Sequence, residues 1–455
     1  VSSRCLLCSL ACTLDIDEGP EGLVVRGLEP TSVACAGGLS ANGLALGERR
    51  LLQPLVRDDG ALREASWDEA LQRATDGLRK AVIEGGTGTV LVSGAPTLAA
   101  EEALAVRLLA DSLGAVRSGS LAVAAGRTSG PWSDKVWSTA TWEDLDAAGA
   151  VLWVGDATGV EAAAIEGRLA AVRAKGVPVV VVTSSSDRFA GAATTALRVP
   201  AADVLPTALG LLAGAPLSLA AAEGARQALT KAANPVAGVA TLGNPDVSGQ
   251  GLERLDEQVH RLSAANGARL LVTAEANARA LGLAGLTTPG GFDRLYRAEA
   301  TRAAWLVGDD AEALVAGDHR PAFLVVQDLV LTASARAADV VLPMSHLLET
   351  GGTVVAPDGR VLRVEPCLEP CLDRTTLDVL TDAALRLRAG TPVVDPDDPA
   401  GHVDRVAGLA GLDRLPPRRR ETRQAGTNGA ALQSGTAPRP TLLAAVTSPP
   451  QPPSP

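Results

Sequence analysis

Short apolar runs alternate with amphipathic stretches over most of the chain, and the two periods can be told apart. Apolar residues at Leu14 and Ile16, then at Leu23, Val24 and Val25, suggest short strands near the N-terminus. At Ser66 the period lengthens. Ser66 with Glu69 three residues on matches a capping box, in which hydroxyl and carboxylate each satisfy a backbone N–H, and it predicts an amphipathic helix through about Val82. Strand patterns follow at 89–93, 148–154 and 177–183, with helical patterns at 98–113 and 162–174. Further strands are expected at 269–272, 304–307, 323–326 and 339–343. Strands alternating with helices imply βαβ units and a doubly wound parallel sheet. Ligands of such sheets sit outside the carboxyl ends of the strands. That rule directs attention to Gly94 and Ala95, to Gly155 and Asp156, and to residues 183–188.

The pattern divides the chain into four parts. Residues 1–62 read as a small cysteine-bearing module, 63–216 as a first, nucleotide-binding-like α/β domain, and 217–390 as a second α/β domain with a return segment. Residues 391–455 read as a linker and a Pro-rich tail ending SPPQPPSP, whose composition cannot bury a core and predicts disorder. Gly351-Gly352 and Asp358-Gly359 are expected to form turns bounding a hairpin.

Composition narrows the function classes. A net charge of −11 argues against a nucleic-acid partner, whose phosphates call for basic excess. Aromatic residues make up only 2%, so Ala, Leu and Val must fill the core of this 455-residue chain. No basic and apolar leader stands between Val1 and the first cysteine. The most apolar stretch, 207–222, is interrupted by Pro216 and is too short to span a bilayer. The chain is therefore expected in the cytoplasm, free or peripheral to a membrane complex, and the missing initiator Met points to processing or to a longer precursor.

The chemistry with the clearest signature lies at the start. Cys5, Cys8 and Cys12 form C-x2-C-x3-C, and Cys35 follows 23 positions after Cys12. Four thiolates, three of them in one turn-rich loop, can converge on a [4Fe-4S] cluster. A four-cysteine zinc site is the competing reading, although zinc usually takes two separated C-x2-C knuckles; four unligated thiols are the third. Cys367 and Cys371 form a C-x3-C pair that reads as incidental, with no other Cys or His near in sequence. His346, at the end of the 339–343 strand, is either a proton-handling group at the cleft or a polar residue opening a helix. No P-loop, dinucleotide fingerprint or Ser-His-Asp set is present.

Three stretches carry a resemblance to the molybdopterin oxidoreductase superfamily. They are RCLLCSLACTLDID continuing into ERRLLQPLVRDDGALREASWDEAL, then WEDLDAAGAVLWVGDATGVEAAAIEGRLAAVRAKGVPVVVV, and FLVVQDLVLTASARAADVVLPMSHLLETGGTVVAPDGRVLRVEP. The last keeps Gln327-Asp328, Thr332, Asp339, Glu349, Gly352-Thr353 and Gly359-Arg360 in the family's order. The likeness covers residues 4 to about 390 and is similar in feel to formate dehydrogenase catalytic subunits, the large iron-sulfur subunit of complex I and the corresponding subunit of formylmethanofuran dehydrogenase. It implies an N-terminal [4Fe-4S] domain on Cys5, Cys8, Cys12 and Cys35, followed by two doubly wound α/β domains without the C-terminal β-rich pterin-binding domain. It also implies a cleft for molybdopterin guanine dinucleotide, with Gly155, Asp156, Asp187, Asp328 and Asp339 as candidate cofactor-binding residues.

The chain departs from the family at the cleft. No cysteine lies between Cys35 and Cys367, so Thr128 stands at the metal-ligand position, with Ser129 and Asp134 as neighbours. Ala36, Gly37 and Gly38 follow Cys35 where the family has a lysine bridging cluster and pterin. Asp156 replaces the usual Asn, and Thr183-Ser184 the usual acidic residue. The expected function is thus an iron-sulfur subunit of a multi-subunit oxidoreductase that passes electrons through one cluster and has lost molybdenum chemistry. The alternatives are an active molybdopterin-dependent formate or formylmethanofuran dehydrogenase subunit, with Thr128 and His346 as candidate catalytic residues, and a zinc-stabilised structural subunit. The first two imply other subunits of a redox complex as partners.

Overall fold

The computed structural model describes residues 1–8, 11–19, 22–27, 50–119, 138–157, 161–184, 187–240, 254–255, 257–258, 267–272, 276–286, 295–309, 320–356 and 360–387. Strands β1 (Ser2–Arg4), β2 (Thr13–Gly19) and β3 (Gly22–Gly27) open the chain as a small antiparallel sheet. The hairpin β4 (Leu55–Asp58) and β5 (Ala61–Glu64) turns at Asp59-Gly60, both with positive φ (49° and 84°), the geometry for which Asp-Gly is suited. Helix α1 (Trp67–Gly85) starts where its cap predicts, with Ser66 Oγ accepting from Glu69 N at 3.2 Å. Only that half of the capping box forms, because the Glu69 carboxylate turns to Arg63. Its buried Ala70, Leu71, Ala74, Leu78 and Ala81 form one apolar stripe.

Next come β6 (Val90–Gly94), α2 (Ala100–Leu113) and β7 (Val116–Gly119). The chain then builds α3 (Trp142–Asp146), β8 (Ala150–Val154), α4 (Glu161–Ala174), β9 (Val179–Thr183), α5 (Asp187–Ala192), β10 (Thr195–Arg198), α6 (Val204–Ala213), α7 (Ala222–Lys231), β11 (Pro235–Ala240) and β12 (Ala268–Val272). It continues through α8 (Ala278–Leu283), β13 (Ala303–Val307), β14 (Phe323–Asp328), α9 (Ala333–Ala337), β15 (Val340–Pro343), α10 (Leu347–Thr350), the antiparallel pair β16 (Gly352–Val355) and β17 (Val361–Val364), and α11 (Thr376–Leu387). The expected hairpin near Gly351 and Gly352 is this last pair, while Asp358 and Gly359 lie outside the described residues.

Two larger sheets organise these elements. One runs β5-β4-β15-β14-β13-β6-β7, with its last five strands parallel and the β4–β5 hairpin antiparallel at the edge. The other runs β10-β9-β8-β11-β12, all parallel. Both alternate strictly. In the first, Val92, Trp305, Val325 and Leu342 face α1, α2 and α11, while Leu91, Leu306, Val326 and Val341 fill the opposite core. In the second, Leu152, Val180 and Val239 face α6 and α7, while Trp153, Val181 and Leu270 pack with α3, α4 and Phe189 of α5. Apolar strands covered on both faces are the mark of a doubly wound parallel sheet.

Sheet membership does not follow the divisions at 62/63 and 216/217. The β4–β5 hairpin joins the seven-stranded sheet, not the small N-terminal one. Strands β11 and β12 pair onto β8, and β13 returns to β6, so the five-stranded sheet is inserted between the two halves of the seven-stranded one. Hydrophobic period marks where a strand lies but not which earlier strand it meets.

Candidate functional site

Each parallel sheet has a point where successive strands set off in opposite directions, and the crevice outside the carboxyl ends at that point is the expected ligand site. In the seven-stranded sheet it falls between β6 and β13, outside Gly94 and Gly308. Ser93, at the end of β6, donates its hydroxyl to Asp309 Oδ2 at 2.9 Å, and both residues are buried. In the five-stranded sheet the point falls between β8 and β11, outside Gly155 and Asp156. Gly155 has φ 85°, which lets the chain turn sharply off β8. The Asp156 carboxylate accepts from Thr183 Oγ1, from Ser184 N at 3.3 Å and from Ser184 Oγ at 3.1 Å.

The two crevices share one chemical character. At the first, Asp309 after β13 accepts from one hydroxyl, Ser93, across the crevice on β6; at the second, Asp156 after β8 accepts from Thr183 and Ser184 at the end of β9, the neighbour on the side away from β11. Ser93 Oγ at one crevice, and Thr183 Oγ1, Ser184 Oγ and Ser184 N beside the other, are thus engaged by a carboxylate of the chain itself. The sequence brings Asp156 and Thr183-Ser184 into view, but Asp309 carries no local motif, and only the sheet order reveals it.

Other residues singled out in the sequence scatter. Asp328, at the end of β14, accepts from Leu329 N at 2.7 Å and from Thr332 Oγ1 at 3.3 Å, closing the turn into α9. Asp339 lies at the other edge of the sheet, just before β15, where it accepts from Leu324 N at 2.8 Å and faces Arg320 at 3.6 Å. It therefore does not join Asp156 or Asp328 at a carboxyl-end crevice. Asp187 opens α5, but its side chain lies outside the described part, as do Thr128, Ser129, Asp134 and Cys35.

His346 caps α10, with Nδ1 accepting from Leu348 N at 3.1 Å. The same short helix carries Glu349, which the structure makes the centre of a buried network. Glu349 accepts from Arg50 Nη1 at 2.7 Å and Nη2 at 3.1 Å, from His346 N at 2.9 Å and from the Cys371 thiol at 3.3 Å. Arg50 Nη2 also donates to Met344 O at 3.2 Å. Burial opposes ionisation of Glu349, but the Arg50 and His346 N–H donors outweigh it and hold the carboxyl below its ordinary range. The Cys371 thiol is pushed up, by burial and then by its bond to Glu349.

The cysteine loop lies between β1 and β2. Arg4 pairs with Thr13, and Cys5 N donates to Cys12 O at 2.9 Å, so the C-x2-C-x3-C run is the closed end of a hairpin. Ala11 adopts φ 43° to make the bend, and its N–H reaches Cys8 O at 3.2 Å. Cys5 and Cys8 are buried, and Cys12 is partly so. Cys5, Leu6, Leu14 and Ile16 pack with Leu347, Leu348, Val354 and Val364, and Cys367 lies against the same cluster. Among the described residues no three His, Cys, Asp or Glu side chains converge as a single metal ion requires.

Among the described residues no helix is long and apolar enough to cross a membrane. The family model described as molybdopterin oxidoreductase matches residues 50–376. Comparison with curated protein sequences gives no match. Among solved structures, acetylene hydratase from Pelobacter acetylenicus aligns with a TM-score of 0.62 at 16% identity, over 87% of this chain and 70% of that one. A chain of the formyltransferase/hydrolase complex FhcABCD from Methylorubrum extorquens, solved with methylofuran, aligns with a TM-score of 0.51 at 20% identity, over 73% of this chain and 98% of that one.

Proposed function

Because the chain belongs to the molybdopterin oxidoreductase family, whose model spans residues 50–376, we propose that it is an iron-sulfur subunit of a multi-subunit complex that uses the family's scaffold without molybdenum chemistry of its own. The observation that carries this reading is the aspartate at each crevice. Asp156 and Asp309 each engage hydroxyl donors at a strand end, and a carboxylate there would repel a pyrophosphate brought to the same crevice. That repulsion is what supports a crevice without a bound dinucleotide.

The cysteine loop fits a [4Fe-4S] cluster in the chemistry of its donors. Three cysteines lie between β1 and β2, and Cys35 would supply the fourth. A bound cluster would accept and release single electrons. The chain's own contribution is to bury Cys5 and Cys8, with Cys5 packed among Leu14, Ile16 and Leu348, excluding water from that side. A triplet in one loop with a distant fourth cysteine favours the cluster over zinc, which usually takes two separated close pairs.

A second reading has its own support. The alignment takes in 98% of one chain of a formyltransferase/hydrolase complex solved with methylofuran, so the other subunits of a complex of that kind are candidate partners. In its active form this reading requires molybdenum or tungsten held near Thr128, as in a formate or formylmethanofuran dehydrogenase subunit. Metal analysis of anaerobically purified protein, with EPR after dithionite reduction, separates the readings. About four Fe per chain with no Mo or W supports the proposal. Near-stoichiometric Mo or W would overturn the loss of molybdenum chemistry, and zinc alone would leave a structural subunit.

A further inference from the structure

We propose that the proton on Glu102 is a latch that holds α11 over the start of α2, and that its loss as pH rises lets α11 open locally. Three elements meet at this carboxyl. Glu102 lies in the first turn of α2, only 4% exposed, with Oε2 accepting from Ala99 N at 2.9 Å. The hydroxyl of Thr376, the first residue of α11, lies against the carboxyl. Thr376 is in turn pinned to Ser345, just beyond β15. Ser345 N donates to Thr376 Oγ1 at 3.1 Å, Thr376 N donates to Ser345 Oγ at 2.9 Å, and the two hydroxyl oxygens stand 3.0 Å apart. Both residues are buried.

Among the described residues no cation joins this cluster. The charge that acts on Glu102 is that of Glu101, a second carboxylate, which accepts from Thr353 N at 3.1 Å and Thr353 Oγ1 at 2.5 Å on β16. Charged groups on the surrounding elements are engaged elsewhere. Arg107 of α2 meets Asp111, Asp378 of α11 accepts from Thr375, Asp382 of α11 meets Arg374 and Arg386, and Glu349 of α10 meets Arg50. His346, next to Ser345, turns Nδ1 to Leu348 N, and Arg279 of α8, though buried, is not among the groups whose charge bears on Glu102. A carboxylate this deep, beside another carboxylate and without a cation, is strongly disfavoured, so the group stays neutral while it is covered. Ionisation requires water, and α11 is the cover nearest the end of the described chain, a single helix whose departure leaves the sheet intact. Burial raises the covered carboxyl to about 8 from 4.5. Between those values each pH unit should populate the opened state about tenfold more, with no further rise above 8.

The test is native-state hydrogen exchange read by mass spectrometry on the full-length chain across that pH range, with each rate corrected for the intrinsic pH dependence of amide exchange. The α11 amides should lose protection as pH rises, about tenfold per unit, while those of α4 and α6, which pack on the five-stranded sheet, keep theirs. Glu102→Gln, neutral at every pH, should give α11 a protection that does not change with pH. Constant α11 protection in the wild type overturns the latch, as does an equal loss in Glu102→Gln. An equal loss in α4 and α6 overturns it too, because proton release would then unfold the whole chain and not free one helix. If Glu102→Gln does not accumulate, Thr376→Val removes the hydroxyl without changing any charge, and it must keep the wild-type pH slope; a flat profile in that variant would assign the slope to the hydroxyl and overturn the role of the buried proton.

Discussion

Glu102 lies in the first turn of α2 with its carboxyl buried at 4% exposure, accepting from Ala99 N at 2.9 Å. Burial pushes its pKa up to about 8, against a small opposing contribution from the Ala99 N–H. Unfolded it titrates near 4.5, so between 4.5 and 8 the folded chain holds a proton that the unfolded chain has released. Stability should therefore fall as pH rises through that window, by roughly 1.4 kcal/mol for each unit of pKa difference, and stay low above it. Glu102→Gln, which keeps an acceptor for Ala99 N, should flatten that slope in urea denaturation series at several pH values; an unchanged slope would assign the effect elsewhere. Asn277 is a second residue of this kind, bonding Leu98 O, Thr353 O and Val355 N while buried. Asn277→Ala should cost about 1–3 kcal/mol by leaving those groups unpaired, read from the denaturation midpoint. Neither residue stands out in the sequence, because isolated polar letters in apolar surroundings carry no sign of the burial that later surrounds them.

At the scale of elements, the apolar period locates the strands well and fails where a strand is made of small residues. It passes over β11, PVAGVA, because Pro235 and Gly238 look like breakers, yet that strand joins the two halves of the five-stranded sheet. Gly238 is required there by its neighbour. It pairs with Trp153 of β8, and a Cβ at 238 would lie 2.4 Å from the indole ring. Gly238→Ala should destabilise by about 1–3 kcal/mol through overpacking, and Trp153 fluorescence should report the displaced ring. The cysteine loop shows the converse case. Its spacing suggests the ligand set proposed above, and the structure pairs β1 with β2 on either side of it. Replacing Cys5 or Cys8 by Ser should remove most bound iron from anaerobically purified protein, with iron per chain as the measurement.

For the whole molecule, the alternation of strands and helices conveys the class of fold, and the sheet order decides where its crevices lie. Strand ends alone are enough to put Gly155 and Asp156 at one of them. They do not reveal Asp309, because β13, although expected, has no known neighbour until its pairing with β6 is seen. The same order separates Asp339 from the other carboxylates, since strand start and strand end read alike in one dimension. If the two carboxylates are what excludes a dinucleotide, Asp156→Asn should remove the negative charge and one of the two oxygens that Thr183 and Ser184 now bond. That variant should gain measurable affinity for a guanine nucleotide over the wild type by isothermal titration, while no gain would place the obstacle elsewhere.

The insertion of one sheet inside another also bears on how the protein is made. Strand β6 is flanked by β7 on one side and β13 on the other, and about 180 residues separate the end of β7 from the start of β13. At typical translation speeds that interval lasts roughly 10 to 40 s. Throughout it, one edge of β6 and the apolar face of α1 have left the ribosome without the strands that will cover them. The five-stranded sheet can complete itself in that time because its members are contiguous in the chain. The nascent protein is thus a finished lobe attached to an open half-sheet, a species whose bare strand edge invites edge-to-edge association with its siblings unless a chaperone covers it.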